Sequence, residues 1–392
     1  MVLKFLGILA ILGTFLFAKI HFADQPQIDV LFCPYDMGDS NPIKKIMQEC
    51  EKQGIAYKVL PFGKAKEVFE NSHHLVQYDF SDVKWDRGKT LETEQITLIK
   101  NKVKSKIVIA GMASAIQAQV LNVFKDKKTY TVALYDNFDS VEGKEYVQDF
   151  LKQVNQIDEY FLPSQTTLPG FQNLDKTRYA KLSVLGQPVL EDWDDIFSKT
   201  NKNDLKQKLG LQPSDQVILF VGGYDDTYKE YFQLFVKAMK AFKGNSDIKI
   251  LVTYHPKTDG SLERSIIEEE KADNIKIIEK DGRSTAEIAT TTNILCCHKS
   301  SVGIQALYAG LPVIYVVKKG ELNNFAIKKG LALEIDDILE LIEAVKRMLA
   351  TANRNQSPIK DIGIPKEATK NIVKRIKELL NNEESSSTHR PS

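Results

Sequence analysis

Short apolar runs alternate with amphipathic segments along most of the chain. Within each run nearly every residue is apolar, with no alternation of apolar and polar positions, as expected for strands that are covered on both faces. The amphipathic segments, such as residues 41–53, place apolar side chains at the three- and four-residue spacing of one helix face. Strands that alternate with helices of this length predict βαβ units and mostly parallel sheets, and therefore an α/β fold. The predicted strands are 28–33, 56–60, 106–110, 131–135, 159–162, 182–185, 217–221, 249–254, 275–278, 294–297 and 313–316.

The pattern breaks near residues 186–203 and then starts again, which predicts two α/β domains of similar size. We expect a ligand to bind in the crevice between the two sheets, at the carboxyl ends of their strands. The predicted organisation is a segment 1–24, a first domain 25–186, a second domain 187–365, a helix 366–381 and a disordered polar tail 382–392.

The amino-terminal segment has the composition of a signal peptide or a membrane anchor. Lys4 precedes an apolar run over residues 5–18. As a helix this run would cover about 21 Å, short of the roughly 30 Å hydrocarbon core of a bilayer. Counting on to Ala23 allows a tilted anchor, whereas Ala18 could precede a signal-peptide cleavage site. A buried core helix is the third alternative, and the sequence leaves all three open.

Composition and charge exclude several classes of protein. Hydrophobic residues make up 43% of the 392 residues and charged residues 27%, which excludes a wholly disordered chain and a polytopic membrane protein. The net charge of +1 argues against a dedicated nucleic-acid binder, so we expect no nucleic-acid partner. Four cysteines are too few for a disulfide scaffold.

The clearest candidate site follows the predicted strand 294–297. Ser300 or Ser301 would cap the next helix, whose first N–H groups could hold an anion. Gly303 would let a ligand approach the backbone, and His298 lies at the end of the strand where a phosphate could be bound. The alternative is an ordinary βαβ unit with a capped helix.

Other strand ends carry weaker candidates for ligand binding. Gly222 and Gly223 leave backbone exposed either to a ligand or to a closely crossing chain. His255 ends another strand and is either a ligand contact or a structural residue. Arg283 is a candidate phosphate contact, although Ser284 and Glu287 after it form a capping-box pattern that needs no function.

The first half supplies candidates for a general base. Asp36 and Asp39 follow the first strand, and Asp136 follows the strand 131–135. A helix N-cap formed by Asp39 or Ser40 is the structural alternative.

Several motifs of other enzyme classes are absent from the sequence. The first strand has no G-x-G-x-x-G after it, and no Walker A motif occurs, which argues against a dehydrogenase and a P-loop NTPase. No G-x-S-x-G elbow supports a hydrolase. No His or Cys spacing matches a zinc site, so we expect no metal.

Taken in order, these features resemble the GT-B superfamily, in which two Rossmann-like domains face each other across a cleft. Its members include lipid-A-disaccharide synthase, the peptidoglycan N-acetylglucosaminyl transferase and UDP-N-acetylglucosamine 2-epimerase. The resemblance lies in the order of the motifs and is concentrated in residues 186–316. Its elements are Gly186-Gln187-Pro188, Gly222-Gly223, His255-Pro256, Arg283 to Glu287, Ser300 to Gly303 and Gly310-Leu311-Pro312.

The resemblance implies a nucleotide-sugar donor, UDP-linked, that is held mainly by the second domain, with no separate cofactor. It places Gly222 and Gly223 at the diphosphate. The members usually carry a Glu that bonds the ribose, where this chain has Gln305, which loses the charge-assisted strength of that bond. The first domain would bind the acceptor and supply a base such as Asp36 or Asp39. The helix 366–381 would pack back on the first domain.

The resemblance therefore predicts a glycosyltransferase that moves a sugar from a nucleotide sugar to a lipid-linked, glycan or envelope acceptor. An anchored enzyme of this kind would face the cytosol, where nucleotide sugars are found. An exported ligand-binding protein without turnover is the alternative that a cleaved signal peptide and Gln305 favour. An epimerase similar to UDP-N-acetylglucosamine 2-epimerase is a further alternative.

Overall fold

The computed structural model describes residues 27–76, 86–125, 129–142, 145–255, 257–279, 281–322, 324–351 and 363–387. Two six-stranded sheets form the framework of these residues, and all of their strand pairs are parallel. This confirms the α/β fold class and the two Rossmann-like halves.

The first sheet has the strand order β2-β1-β3-β4-β5-β6. Its order reverses between β1 and β3, which is the topological switch point where α/β sheets bind ligands. Its strands are β1 (Ile28–Cys33), β2 (Tyr57–Val59), β3 (Ser105–Gly111), β4 (Tyr130–Leu134), β5 (Glu159–Leu162) and β6 (Lys181–Val184). The helices between them are α1 (Met37–Lys52), α2 (Ala65–Phe69), α3 (Thr93–Lys102), α4 (Ala115–Lys125), α5 (Glu145–Gln153) and α6 (Leu168–Gln172).

The second sheet has the order β12-β11-β10-β7-β8-β9, the classical Rossmann order with its switch point between β7 and β10. Its strands are β7 (Gln216–Val221), β8 (Ile248–Thr253), β9 (Ile275–Ile277), β10 (Ile294–Cys297), β11 (Val313–Val316) and β12 (Leu333–Ile335). The helices of this half are α7 (Val189–Lys199), α8 (Lys202–Lys208), α9 (Tyr228–Met239), α10 (Ser261–Glu269), α11 (Thr285–Ala289), α12 (Val302–Tyr308), α13 (Phe325–Lys328) and α14 (Ile338–Ala350).

Each sheet is covered by apolar clusters on both faces, which explains the continuous apolar runs. Cys296 and Cys297, for example, are adjacent in β10 but belong to clusters on opposite faces of the second sheet. This alternation follows from the two-residue period of a strand.

The helix α15 (Ala368–Ser387) returns from the second half to the first sheet, where Ile372, Val373 and Ile376 pack in a cluster with β1 and α1. Its Arg375 bonds the buried carboxylate of Glu159 in β5 through both Nε and an Nη atom, at 3.0 Å. The helix extends to Ser387 and so includes the first residues of the tail 382–392, which the sequence predicts as disordered. Residues 388–392 lie outside the described residues.

The amino-terminal segment 1–24 also lies outside the described residues, and its assignment as signal peptide or anchor stays a prediction. Within the ranges that the structure describes, no helix is both long and apolar enough to span a membrane.

Candidate active site

The carboxyl edge of the first sheet brings together two of the three aspartates predicted as bases. Asp36 follows β1 and Asp136 follows β4. Gly38, in the first turn of α1, packs so closely on the Asp136 carboxylate that a Cβ at this position would overlap Oδ2. The two acidic loops are therefore in direct contact at the carboxyl edge of the sheet, although β3 lies between β1 and β4.

The carboxylate of Asp39 is fully engaged in hydrogen bonds with the protein. Its side chain is buried and accepts the N–H groups of Tyr35 and Asp36, both at 3.0 Å, and the side-chain amide of Gln117 at 2.6 Å. Burial, followed by the charge of Asp36, raises its pKa well above the usual value. These bonds join Asp39 to the loop between β1 and α1 and to α4, which gives it a structural role, although not that of the helix N-cap.

Asp36, rather than Asp39 or Ser40, is the N-cap of α1. Its carboxylate accepts the N–H groups of Gly38 at 2.9 Å and Asp39 at 3.3 Å, and Asp39 completes the capping box. Its other oxygen pairs with an Nη atom of Arg87 at 2.9 Å. Both of its oxygens therefore have partners within the protein, the backbone of α1 and the side chain of Arg87.

Asp136 has the properties of a general base. Burial, followed by the neighbouring charge of Asp36, raises its pKa to about 6. Tyr146 donates to its Oδ1 at 3.3 Å, and burial raises the pKa of Tyr146, which keeps that hydroxyl protonated. The Asp136 side chain is half-buried, at the carboxyl edge where a substrate would lie. A carboxylate with a pKa near the working pH is suited to general base catalysis.

The same loop meets the second half of the chain. The N–H of Phe325, at the start of α13, donates to Asp139 at 2.9 Å, and the rings of Phe138 and Phe325 lie 5.7 Å apart. Gln187 donates to the backbone carbonyl of Asp136 at 2.7 Å. Gln187 follows β6 of the first sheet itself, whereas the loop before Phe325 follows β11, so the carboxyl edges of the two sheets meet at the Phe325 contact.

In the second sheet, other parts of the protein pack closely against the two glycines after β7. A Cβ on Gly222 would lie 2.7 Å from the carbonyl oxygen of Thr253, and the N–H of Gly222 bonds that carbonyl at 2.8 Å. A Cβ on Gly223 would lie 2.8 Å from the ring of Tyr228. The structure thus shows the closely crossing chain, and the approach of these glycines to a diphosphate stays a prediction.

His298 is buried at the end of β10 and joins three elements of the second sheet. Its Nδ1 lies 2.9 Å from the carbonyl oxygen of Val316, and since a carbonyl can only accept, Nδ1 carries a proton. Its Nε2 lies 3.0 Å from the Thr227 hydroxyl and 3.3 Å from Asp225. The ring stacks on Tyr231 at 5.1 Å. The imidazole therefore fixes the loop between β7 and α9 rather than pointing freely into the cleft.

Lys299 follows His298 and reaches the same loop. Its Nζ donates to the Thr227 hydroxyl at 3.1 Å and pairs with Glu321. A cavity of about 790 Å³ opens beside these groups, lined by Thr227, Tyr231, Lys318 and Lys319, among others. Its size lies in the range of small-molecule sites in proteins. Three lysines lie at or beside it, and three carboxylates, Glu230, Glu321 and Asp336, also line it.

In the segment predicted as an anion site, the two serines and Gly303 differ in their contacts and in their access to a ligand. Ser300 caps α12 by accepting the N–H of Val302 at 3.2 Å, whereas Ser301 makes no side-chain cap and is exposed. The space beside Gly303 is filled by the Tyr315 hydroxyl, which a Cβ would overlap. Gln305 is half-buried in the helix. A ligand can therefore reach the exposed Ser301 but not the face of Gly303 that Tyr315 covers.

His255 and Arg283 lie on the β8 and β9 side of the second sheet. His255 accepts the N–H of Lys257 at 3.1 Å, and its ring packs on the exposed Tyr224 at 4.2 Å. Arg283 pairs with Asp281, through Nε at 2.7 Å. Ser284 and Glu287 form the predicted capping box at the start of α11. Pro256 lies outside the described residues.

Sequence reasoning missed Arg87, Tyr146 and Thr227, which position Asp36, Asp136 and His298. Arg87 and Thr227 are far in sequence from their partners, and Tyr146, ten residues after Asp136 in α5, lies in no motif that marks it. The described residues contain no group of three or more His, Cys, Asp or Glu side chains that could hold a metal ion.

Comparison with known proteins assigns this architecture to a family. The model of the family described as CDP-Glycerol:Poly(glycerophosphate) glycerophosphotransferase matches residues 107–353, which include strands of both sheets. A search of curated proteins found no match.

Solved structures share the GT-B fold at low sequence identity. UDP-GlcNAc 2-epimerase from Neisseria meningitidis, bound to UDP-GlcNAc, has a TM-score of 0.62 and 13% identity over 90% of this chain and 100% of its own. A glycosyltransferase from Rickettsia africae has a TM-score of 0.60 and 12% identity over 91% and 100%. The wall teichoic acid polymerase TagF has a TM-score of 0.55 and 14% identity over 91% and 90%.

Proposed function

Because the chain belongs to the CDP-glycerol:poly(glycerophosphate) glycerophosphotransferase family, we propose that it transfers a glycerophosphate-type group from a cytidine diphosphate donor to an acceptor hydroxyl. The observation that carries the proposal is the position of Asp136. This carboxylate has a pKa of about 6, and its loop lies where the carboxyl edges of the two sheets meet. The resemblance noted from the sequence predicted the fold, whereas the family match changes the proposed group from a sugar to a polyol phosphate.

In the proposed reaction, the oxygen of the acceptor hydroxyl attacks the β-phosphorus of the donor while Asp136 takes the proton of that hydroxyl. The anhydride bond between the α- and β-phosphates breaks, and CMP leaves with the bonding electrons. With a pKa of about 6, Asp136 is mostly ionised at pH 7 and can accept the proton. Tyr146 orients its carboxylate by donating to Oδ1.

The donor diphosphate needs cations to stabilise the developing charge on the leaving group. Lys299, Lys318 and Lys319 lie at the carboxyl edge of the second sheet, at or beside the cavity of about 790 Å³. Ser301, exposed at the start of α12, adds a hydroxyl near Lys299. We propose that these residues bind the diphosphate, and that the loop of His298 and Thr227 holds them in place.

Transfer of a sugar from a UDP-linked donor is the second candidate, which the fold shared with UDP-GlcNAc 2-epimerases favours. The two reactions differ in the bond that breaks. Phosphoryl transfer cleaves the anhydride and releases a nucleoside monophosphate, whereas glycosyl transfer cleaves the bond to the sugar carbon and releases the diphosphate.

We propose that the acceptor is a glycerophosphate chain at a membrane, to which the apolar run 5–18 would hold the enzyme.

The nucleotide product distinguishes the candidates. The purified full chain is incubated with a glycerophosphate oligomer and either CDP-glycerol or UDP-GlcNAc, and the nucleotides are separated by chromatography. We expect CMP from CDP-glycerol and no UDP from UDP-GlcNAc. Release of UDP alone would replace the proposal by sugar transfer. No product from either donor, in protein that unfolds cooperatively, would refute both.

A further inference from the structure

The cavity beside α9 has a tyrosine hydroxyl without a protein partner in its wall. Tyr231 lines this cavity of about 790 Å³, and the residue is only 8% exposed. Its ring stacks on the buried imidazole of His298, with the ring centroids 5.1 Å apart. Within the part of the chain that the structure describes, its hydroxyl forms no hydrogen bond. Because buried polar groups are normally hydrogen-bonded, this hydroxyl is available to a ligand.

The charges around Tyr231 place its hydroxyl on the cavity side of the ring. Burial raises the pKa of Tyr231 above its usual value. Nearby carboxylates raise it further, and they belong to Glu230, Glu321 and Asp336, which all line the same cavity. The hydroxyl therefore stays protonated at neutral pH, where it can both donate and accept a hydrogen bond.

Several charged groups of the cavity already have partners within the protein. Glu321 pairs with Lys299, and Lys319 pairs with Glu340. Asp336 accepts the backbone N–H of Lys319 at 3.0 Å. These bonds fix the loop after β11 against the end of β12, so this wall of the cavity is formed before a ligand binds.

Two charged side chains of the cavity have no partner among the residues that the structure describes. Glu230 precedes Tyr231 in α9, and Lys318 lies in the loop after β11. The cavity thus offers a carboxylate, an ammonium group and a hydroxyl to a ligand. A carboxylate accepts hydrogen bonds from alcohols, and an ammonium group binds a phosphate. A phosphate ester of a polyol carries both kinds of group.

The cavity adjoins a cation that the proposed function assigns to the donor diphosphate. Thr227 lines the cavity, and its hydroxyl accepts a hydrogen bond from Nζ of Lys299 at 3.1 Å. Lys299 also pairs with Glu321 in the cavity wall. A donor whose diphosphate contacts Lys299 can therefore extend its terminal group into the cavity.

We propose that this cavity binds the polyol part of the donor, with Tyr231 and Glu230 bonding its hydroxyl groups and Lys318 contacting the adjacent phosphate. This inference rests on the proposed function and deepens it, because it assigns the residues that select the transferred group. An apolar group of the same length would bury Glu230 and Tyr231 without hydrogen bonds. Sites built for hydroxyl groups reject such analogues for this reason.

Calorimetry with three cytidine ligands tests the polyol site. CDP, CDP-glycerol and the propyl ester of CDP, which lacks the two free hydroxyls, are titrated into the purified full chain. We expect the wild type to bind CDP-glycerol about tenfold more tightly than the propyl ester, the usual effect of one hydrogen bond to a charged group. The nucleotide is the same in all three ligands, so the difference between the two esters reports the polyol alone.

Conservative variants identify the residues that recognise the polyol. Tyr231→Phe and Glu230→Gln should each reduce the preference for CDP-glycerol over the propyl ester about three- to tenfold, and leave the affinity for CDP unchanged. Lys318→Gln should instead weaken all three ligands by a similar factor, because each carries a diphosphate. The matched controls Tyr179→Phe and Glu343→Gln alter exposed residues outside the cavity and should change none of the affinities.

A loss of preference in Tyr231→Phe is not an effect of unfolding. The hydroxyl that this variant removes has no partner among the described residues, so the midpoint of urea unfolding should stay that of the wild type.

Equal affinity of the wild type for CDP-glycerol and the propyl ester would overturn the polyol site. Variants of Tyr231 and Glu230 that both keep the full preference would overturn it as well. In either case CDP still binds, and the proposed cytidine donor stands. Failure of all three ligands to bind the folded chain would overturn the proposed function together with this inference.

Discussion

Replacement of Asp136 by asparagine separates its role in catalysis from its cost to stability. Asparagine keeps the shape of the side chain and the acceptor oxygen for Tyr146, but it cannot take up a proton. If Asp136 is the base, kcat should fall by about 10²–10⁴, the usual contribution of a general base. Donor affinity should change little, because the proposed donor site lies on the other sheet.

The same substitution should stabilise the protein at neutral pH. The pKa of Asp136 is raised from 3.8 to about 6, chiefly by burial. At about 1.36 kcal/mol for each pKa unit, the shift of about two units costs about 3 kcal/mol when the carboxylate is ionised. The folded state binds the proton more tightly than the unfolded state, so stability is lost as the pH rises from about 4 through 6.

Urea unfolding across a range of pH measures this effect. Asp136→Asn should match the wild type near pH 4 and exceed it by about 2–3 kcal/mol at pH 8. Wild-type activity should rise with pH as Asp136 ionises around pH 6. Asp273→Asn is the control, because this exposed carboxylate pairs with Lys243 at the surface, and its free energy of unfolding should stay within about 0.5 kcal/mol.

Two results would refute this reasoning. A variant that keeps more than a tenth of wild-type kcat would show that Asp136 is not the base. A variant that is no more stable than the wild type at pH 8 would show that Asp136 is not strained by burial in the folded protein.

Three further substitutions test other contacts. Arg375→Ala leaves Glu159 buried without its bidentate partner and should cost about 3–5 kcal/mol in urea unfolding, whereas a loss below 1 kcal/mol would contradict the role of this pair. Gly303→Ala should cost about 1–3 kcal/mol, and Tyr315→Phe should restore little of it, because the ring carbon Cζ would still lie 2.5 Å from the added Cβ; an unchanged free energy of unfolding would contradict this close packing. Ser301→Trp should weaken donor binding at least tenfold in calorimetry, and unchanged affinity would place the diphosphate elsewhere.

Local patterns predicted the sheets well because buried parallel strands leave continuous apolar runs. The runs at 28–33, 159–162, 294–297 and 313–316 coincide with β1, β5, β10 and β11. The strand β12 is absent from the predicted strands, because its three residues are too short for a recognisable run.

The candidate site was harder to predict because its properties arise from contacts between distant segments. The sequence leaves open whether Gly222 and Gly223 are ligand contacts or points of close packing, and only the fold shows that Thr253 and Tyr228 pack against them. Asp136 was named from its place after a strand. Its raised pKa depends on burial and on Asp36, which is 100 residues away in the sequence.

The most direct test of the proposed transfer is the stoichiometry between nucleotide and acceptor product. The wild-type chain is incubated with CDP-glycerol and a glycerophosphate oligomer, and the oligomer is analysed by mass spectrometry alongside the released nucleotide. The proposed mechanism predicts that the oligomer gains one glycerophosphate unit for every CMP released, and that Asp136→Asn abolishes both together. CMP release without growth of the oligomer, or addition of a sugar to it, would contradict the mechanism.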